Sequence, residues 1–93
     1  MMVKFVEAII GTNKVGYIDA MTLKEIFVNP VQVVALKERK HILDNDLKAA
    51  HGLDARVEFT EIHLANGTNI IVAGSMHVVQ AKLGASTKQL LRG

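Results

Sequence analysis

The sequence predicts an α+β domain: a mostly antiparallel β-sheet of about five strands, open or partly closed, with a C-terminal α-helix. Three observations carry this. Short runs rich in Val, Ile and Phe recur between turn clusters, as half-buried strands require. Asn66-Gly67 stands between two such runs and marks a hairpin turn. After Gly74-Ser75, Met76, Val79 and Leu83 fall at the spacing of one helix face.

The elements follow in order. Met2 to Ile10 reads as a strand, and Gly11-Thr12-Asn13-Lys14 as the turn after it. Val15 to Ala20 and Leu23 to Asn29 read as two strand pieces, or one bent strand. Asn29-Pro30 ends them, because proline donates no hydrogen bond and holds the preceding residue extended. Val31 to Leu36 resumes as a strand. The 37–54 stretch reads as a long loop or insertion and the best candidate for a binding loop. Within it, Asp44-Asn45-Asp46 offers N-caps for a short helix, Leu47 to Ala50, which Gly52 would stop. Arg56 to Ala65 and Thr68 to Ala73 are the last strands. Ser75 caps the helix, Gly84 ends it, and 85–93 is a flexible tail or one further turn.

A two-residue Asn66-Gly67 loop of type I′ sets Ala65 opposite Thr68, His63 opposite Ile70 and Ile62 opposite Ile71. One face then carries Ile62, Leu64 and Ile71. The other carries Glu61, His63, Ile70 and Val72, joined by Val57 and Phe59 unless a bulge near Thr60-Glu61 moves them. One short helix covers one face of a small sheet. The second face needs another layer of the chain or another subunit, which predicts a partly closed sheet or a homo-oligomer and makes Ile62, Leu64, Ile70, Ile71 and Val72 the candidate protein interface.

Composition narrows the function classes. The 93 residues contain no Cys and no Trp, with one Tyr and three Phe, so aliphatic side chains must build the core. At 10.2 kDa a single domain over 1–93 buries roughly 64% of its unfolded surface. Disulfides, thiolate catalysis and thiolate metal sites are excluded. No apolar run is long enough to span a bilayer, and Met1 to Phe5 reads as a strand and not as a signal peptide, so the expectation is a cytoplasmic protein without membrane contact. The net charge is +2, but residues 62–93 hold Lys82, Lys88 and Arg92 and no acid. That basic tail, or a basic edge of Lys37, Arg39, Lys40 and His41 at 37–41, could meet the phosphates of a nucleic acid.

Glu61 and His63, two apart on a strand, share a face and can pair as general acid–base catalysts do, but no activated nucleophile accompanies them. A rim ion pair is the plainer reading. His41, His51, His63 and His77 lack ligand spacing, so no metal and no cofactor is expected. Ala73-Gly74-Ser75, where a strand gives way to a helix, could hold an anion, but lacks the glycine spacing of a phosphate loop.

Lys24-Glu25-Ile26-Phe27-Val28-Asn29-Pro30-Val31-Gln32-Val33-Val34, followed by Glu61-Ile62-His63-Leu64-Ala65-Asn66-Gly67-Thr68-Asn69-Ile70-Ile71-Val72 and a helix, resembles the small flagellum-associated FlbD/SwrD family. The same rhythm is similar to the LytTR DNA-binding domain. Both likenesses cover residues 22–83. The first implies a non-enzymatic accessory protein, the second DNA contact, and neither assigns a role to a residue. This chain departs from both by an extra N-terminal strand region, and from the first by the 37–54 insertion. The expectation is a non-enzymatic, oligomeric interaction module with an accessory or regulatory role, compatible with a bacterial or phage origin. Nucleic-acid binding through Lys37, Arg39 and Lys40 or the basic tail is the alternative.

Overall fold

The computed structural model describes residues 2–40 and 42–92, with side chains at all of these positions except 19 and 85–92. Five strands form one antiparallel sheet: β1 (Val3–Thr12), β2 (Ile18–Val28), β3 (Val33–Glu38), β4 (Phe59–Leu64) and β5 (Asn69–Ala73). Their order across the sheet is β2-β1-β5-β4-β3, so β1 is interior and β2 and β3 are edges. The sheet is not closed. Helix α1 (Asn45–Ala50) lies between β3 and β4, and α2 (Met76–Arg92) follows β5.

Residues 18–28 make one strand and not two, paired with β1 from Val3↔Val28 to Thr12↔Ile18. The turn sits at 13–17, later than the Gly11–Lys14 cluster suggested. Asn13 fixes it: its Oδ1 accepts from Val15 N and Tyr17 N, each at 3.0 Å, and Gly16 takes φ +91°. After β2, Asn29 Oδ1 accepts from Val31 N and starts a single 3₁₀ turn, Pro30–Gln32, before β3. An extra residue, Val34, bulges from β3 where it pairs with β4.

The β4–β5 hairpin corrects the predicted register. Its loop has three residues, Ala65-Asn66-Gly67. Leu64 N donates to Thr68 O at 2.9 Å, and Gly67 N to Leu64 O at 3.0 Å. A type I′ turn needs two positive φ angles, and only Gly67 supplies one, at +88°. Asn66 instead uses its Oδ1 to accept from Thr68 N at 2.9 Å. The pairing shifts by one residue, to Ile62↔Ile70, Glu61↔Ile71 and Thr60↔Val72. Ile70 and Val72 therefore join Ile62 and Leu64, and Ile71 moves to the face of Glu61 and His63. No bulge interrupts β4, so Phe59 keeps to that second face.

Two cores result, one on each side of the sheet. On the first side Val79 and Leu83 of α2 pack with Val3, Phe5, Val28, Ile62, Ile70 and Val72. On the second, Phe59, Ala8 and Met21 are buried under Leu43, with Ile42, Leu47, Leu53 and Val57 around them. The 42–57 segment is thus the second layer, supplied by the chain itself. Its short helix begins at an Asp44 N-cap, whose Oδ1 accepts from Leu47 N at 2.8 Å. Gly52, at φ +70°, follows its C-cap His51. Ser75 Oγ accepts from Val78 N at 3.2 Å and starts α2. Gly84 lies inside α2 and does not end it. The tail expected over 85–93 falls outside the residues whose side chains are described.

Candidate functional site

The corrected register decides which predicted site residues remain available. Ile62 and Val72 are fully buried and Ile70 nearly so, all three in the core beneath α2. Ile62 and Val72 cannot meet a partner while the domain is folded, because α2 and their own cross-strand neighbours already cover them, and Ile70 reaches the surface only as part of a cleft wall. Leu64 is half-buried at the margin of that core, and Ile71 half-buried in the other. The five residues do not form one surface.

On the second face β3 and β4 assemble a polar cluster. Lys37 stands opposite Glu61, and Ala35 opposite His63. Arg39 N continues the ladder to Phe59 O at 3.0 Å, which carries its guanidinium over β4. There Arg39 Nη1 donates to Glu61 Oε1 at 3.1 Å, and His63 Nε2 hydrogen-bonds Glu61 Oε2. The pair expected from spacing forms, and Arg39, assigned by sequence to a separate basic edge, completes it. Each oxygen of Glu61 thus has one partner within the protein, Arg39 on Oε1 and His63 on Oε2. The contact between 39 and 61 depends on strand register, and no local signal announces it.

The same cluster thins the basic edge. Arg39 is tied to Glu61, and Lys40 Nζ lies 3.7 Å from Glu38. Lys37 is exposed without an ion pair among the described residues, and His41 lies outside them. In the basic C-terminal part, Lys82 Nζ donates to Lys4 O at 3.0 Å and sits 4.8 Å from the centroid of the Phe5 ring. The side chains of Lys88 and Arg92 are outside the described set. Ser75 serves as an N-cap, and Gly74 O accepts from Thr60 Oγ1 at 2.9 Å. Among the described residues no group of three His, Asp or Glu is arranged to hold a metal, and no helix is long and apolar enough to cross a membrane.

Two features that sequence reasoning did not single out remain. The first is the tip of the β1–β2 hairpin, where Val15 is 75% and Tyr17 72% exposed. Beside it Gly16, Tyr17 and Ile18 face Ile42, Asp44 and Leu47 across an open groove of about 510 Å³. The usable signal was Asn13 followed three residues later by Gly16, a turn that displays the residues between and after them. The second is a cleft of about 140 Å³ where the end of β2 meets the β4–β5 loop, lined by Ile26, Phe27, Val28, Leu64, Ile70 and the amides Asn29, Gln32 and Asn66. No known protein family matches the sequence, and no curated protein or solved structure was found to be similar to it.

Proposed function

We propose that this chain is a small, non-enzymatic protein-interaction module that engages a protein partner through the β1–β2 hairpin tip and the groove beside it. One observation carries the reading: two large apolar side chains, Val15 and Tyr17, are held out into solvent on a turn braced by both Asn13 Oδ1 hydrogen bonds. A turn fixed in this way loses little conformational freedom on binding, and exposed Tyr supplies contact area with a polar end. α2 and the 42–57 segment each cover part of one sheet face, while Val6, Ile9 and Phe27 on β1 and β2 stay exposed. Phosphate contact is disfavoured by the carboxylates beside Arg39 and Lys40.

A photocrosslinker placed at Lys14 tests the reading in cell extract. The expected result is a discrete crosslinked protein whose yield falls at least about tenfold in Tyr17→Ala, as loss of an interface anchor worth about 2 kcal/mol requires. Tyr17 is mostly solvated, so the variant should keep its urea midpoint. Undiminished crosslinking in the variant would refute the tip as the contact.

A further inference from the structure

Three asparagines outside the strands and helices hold their side chains in the same way. Asn13 Oδ1 accepts from Val15 N at 3.0 Å, Asn29 Oδ1 from Val31 N at 3.1 Å and Asn66 Oδ1 from Thr68 N at 2.9 Å. Each bond makes an Asx turn, which folds the side-chain carbonyl back along the next residue. What differs is that next residue. It is Lys14 in the first turn, Pro30 in the second and Gly67 in the third.

The difference is chemical as well as conformational. The backbone nitrogen after an asparagine can attack the side-chain carbonyl carbon and close a succinimide ring. Pro30 has no N–H to lose, so its nitrogen cannot do this. Lys14 has one, but its own side chain crowds the approach. Gly67 has the N–H and no Cβ, and nothing lies within 4 Å of where a Cβ would stand. Asn66, Gly67 and Thr68 are all exposed, so water and hydroxide reach them. The Thr68 N–H adds activation, because a donor on Oδ1 stabilises the negative charge that develops there during attack. One contact opposes it, since Gly67 N donates to Leu64 O at 3.0 Å. Opening one such bond reduces the reactive population by about threefold to tenfold, which slows the attack without preventing it. The remaining asparagines are less suited. Asn45 begins α1 and is followed by Asp46 within the helix, and Asn69 lies in β5 before the buried, β-branched Ile70.

We infer that Asn66-Gly67 is a site of spontaneous covalent modification in the folded chain. Gly67 N gives its proton to hydroxide and bonds to Asn66 Cγ, and the side-chain amide nitrogen takes up a proton and leaves as ammonia. Water then opens the succinimide at either carbonyl, giving aspartate or isoaspartate at position 66. Nothing is oxidised or reduced; water enters and ammonia leaves. The two products act differently on the hairpin. Aspartate keeps the oxygen that holds Thr68 N, with a charge that strengthens the bond. Isoaspartate routes the main chain through Cβ and Cγ, which lengthens the loop that sets the β4–β5 register. The site lies at the other end of β2 from the hairpin tip, beside Asn29, and is independent of the reading given to that tip.

The test is incubation of the full chain in mildly alkaline and mildly acidic buffer, followed by peptide mapping. Electron-transfer fragmentation separates aspartate from isoaspartate. The amide at 66 is expected to be lost first, and faster at the higher pH, while Asn13 and Asn29 remain intact. In the isolated isoaspartyl form, NMR exchange at the Gly67 and Thr68 amides should be about tenfold faster than in fresh protein, as loss of one hydrogen bond at each requires. Asn66→Asp is expected to keep the exchange rates of fresh protein. Lys14→Gly gives Asn13 the same successor and is expected to make Asn13 convert as well; an inert Asn13 there would refute the role assigned to the Asx turn. An Asn66 amide that outlasts that of any other asparagine, or conversion independent of pH, would overturn the site. Unchanged exchange in the isoaspartyl form would overturn its effect on the hairpin.

Discussion

Thr60 shows how a single side chain joins two parts of the fold. It is wholly buried on β4, and its hydroxyl donates to Gly74 O at 2.9 Å, at the junction of β5 and α2. Thr60→Val keeps the shape and leaves that carbonyl without the hydroxyl, so a loss of about 1–3 kcal/mol is expected from urea denaturation. Asp54 and Arg56 behave differently because both are at the surface. Arg56 Nε and Nη2 bind the two carboxylate oxygens of Asp54, each at 3.1 Å, and Arg56 N adds a backbone bond at 2.7 Å. The Arg56 side chain first, then its backbone N–H, holds the Asp54 carboxyl below the usual aspartate range. A lowered folded-state pKa gives a contribution that is complete above the ordinary aspartate value and is lost as pH falls through the lowered one. Carbon-detected NMR titration should show this depression, and Arg56→Ala should move Asp54 part of the way back toward the ordinary range, because the backbone N–H at 56 remains.

At the scale of elements, the β4–β5 hairpin separates what local sequence shows from what it hides. The flanking strands, the turn at Asn66-Gly67 and the Ser75 cap were all legible, because each rests on residues within four of one another. The register was not. It depended on whether Asn66 took a positive φ or used its side chain to hold Thr68 N, and both options suit the Asn-Gly pair. That one dihedral decided whether Ile70 and Val72 or Ile71 lay under α2. Gly67 now bears the whole requirement for a left-handed residue. Gly67→Ala should cost about 1–2 kcal/mol in thermal or urea unfolding, and the hairpin amides should be the first to lose hydrogen-exchange protection. The Arg39 contact to Glu61 was hidden for a related reason, since it joins residues 22 apart in sequence that only the β3–β4 pairing brings together.

For the molecule as a whole, the fold class was legible and the covering of the sheet was not. Apolar residues on both faces were visible in the strand pattern, and two covers were required. The 37–54 stretch reads as a loop because its apolar residues, Ile42, Leu43, Leu47 and Leu53, follow neither a strand nor a long helix period, while Val57 reads as part of the strand after it. Their burial comes from irregular backbone laid across Phe59 and Met21. If this segment is a structural layer, Leu43→Ala should destabilise the whole domain by about 2–5 kcal/mol, as core truncations do. A mobile binding loop would leave the urea midpoint unchanged.

The interior position of β1 has a consequence for how the protein is made. β1 leaves the ribosome well before β5, one of its two neighbours in the sheet, which lies more than fifty residues later in the chain. The β1–β2 hairpin can close within about 1–10 μs. Yet Glu7 meets Val72 only after the intervening chain has been synthesised, which takes roughly 3–13 s at about 5–20 residues per second. For that interval the nascent chain displays a strand with one unsatisfied side, and Val3 and Phe5 have no α2 to cover them. During that interval the hairpin's own charged residues, among them the pair Lys4 and Glu25 3.3 Å apart, keep it apart from neighbouring chains.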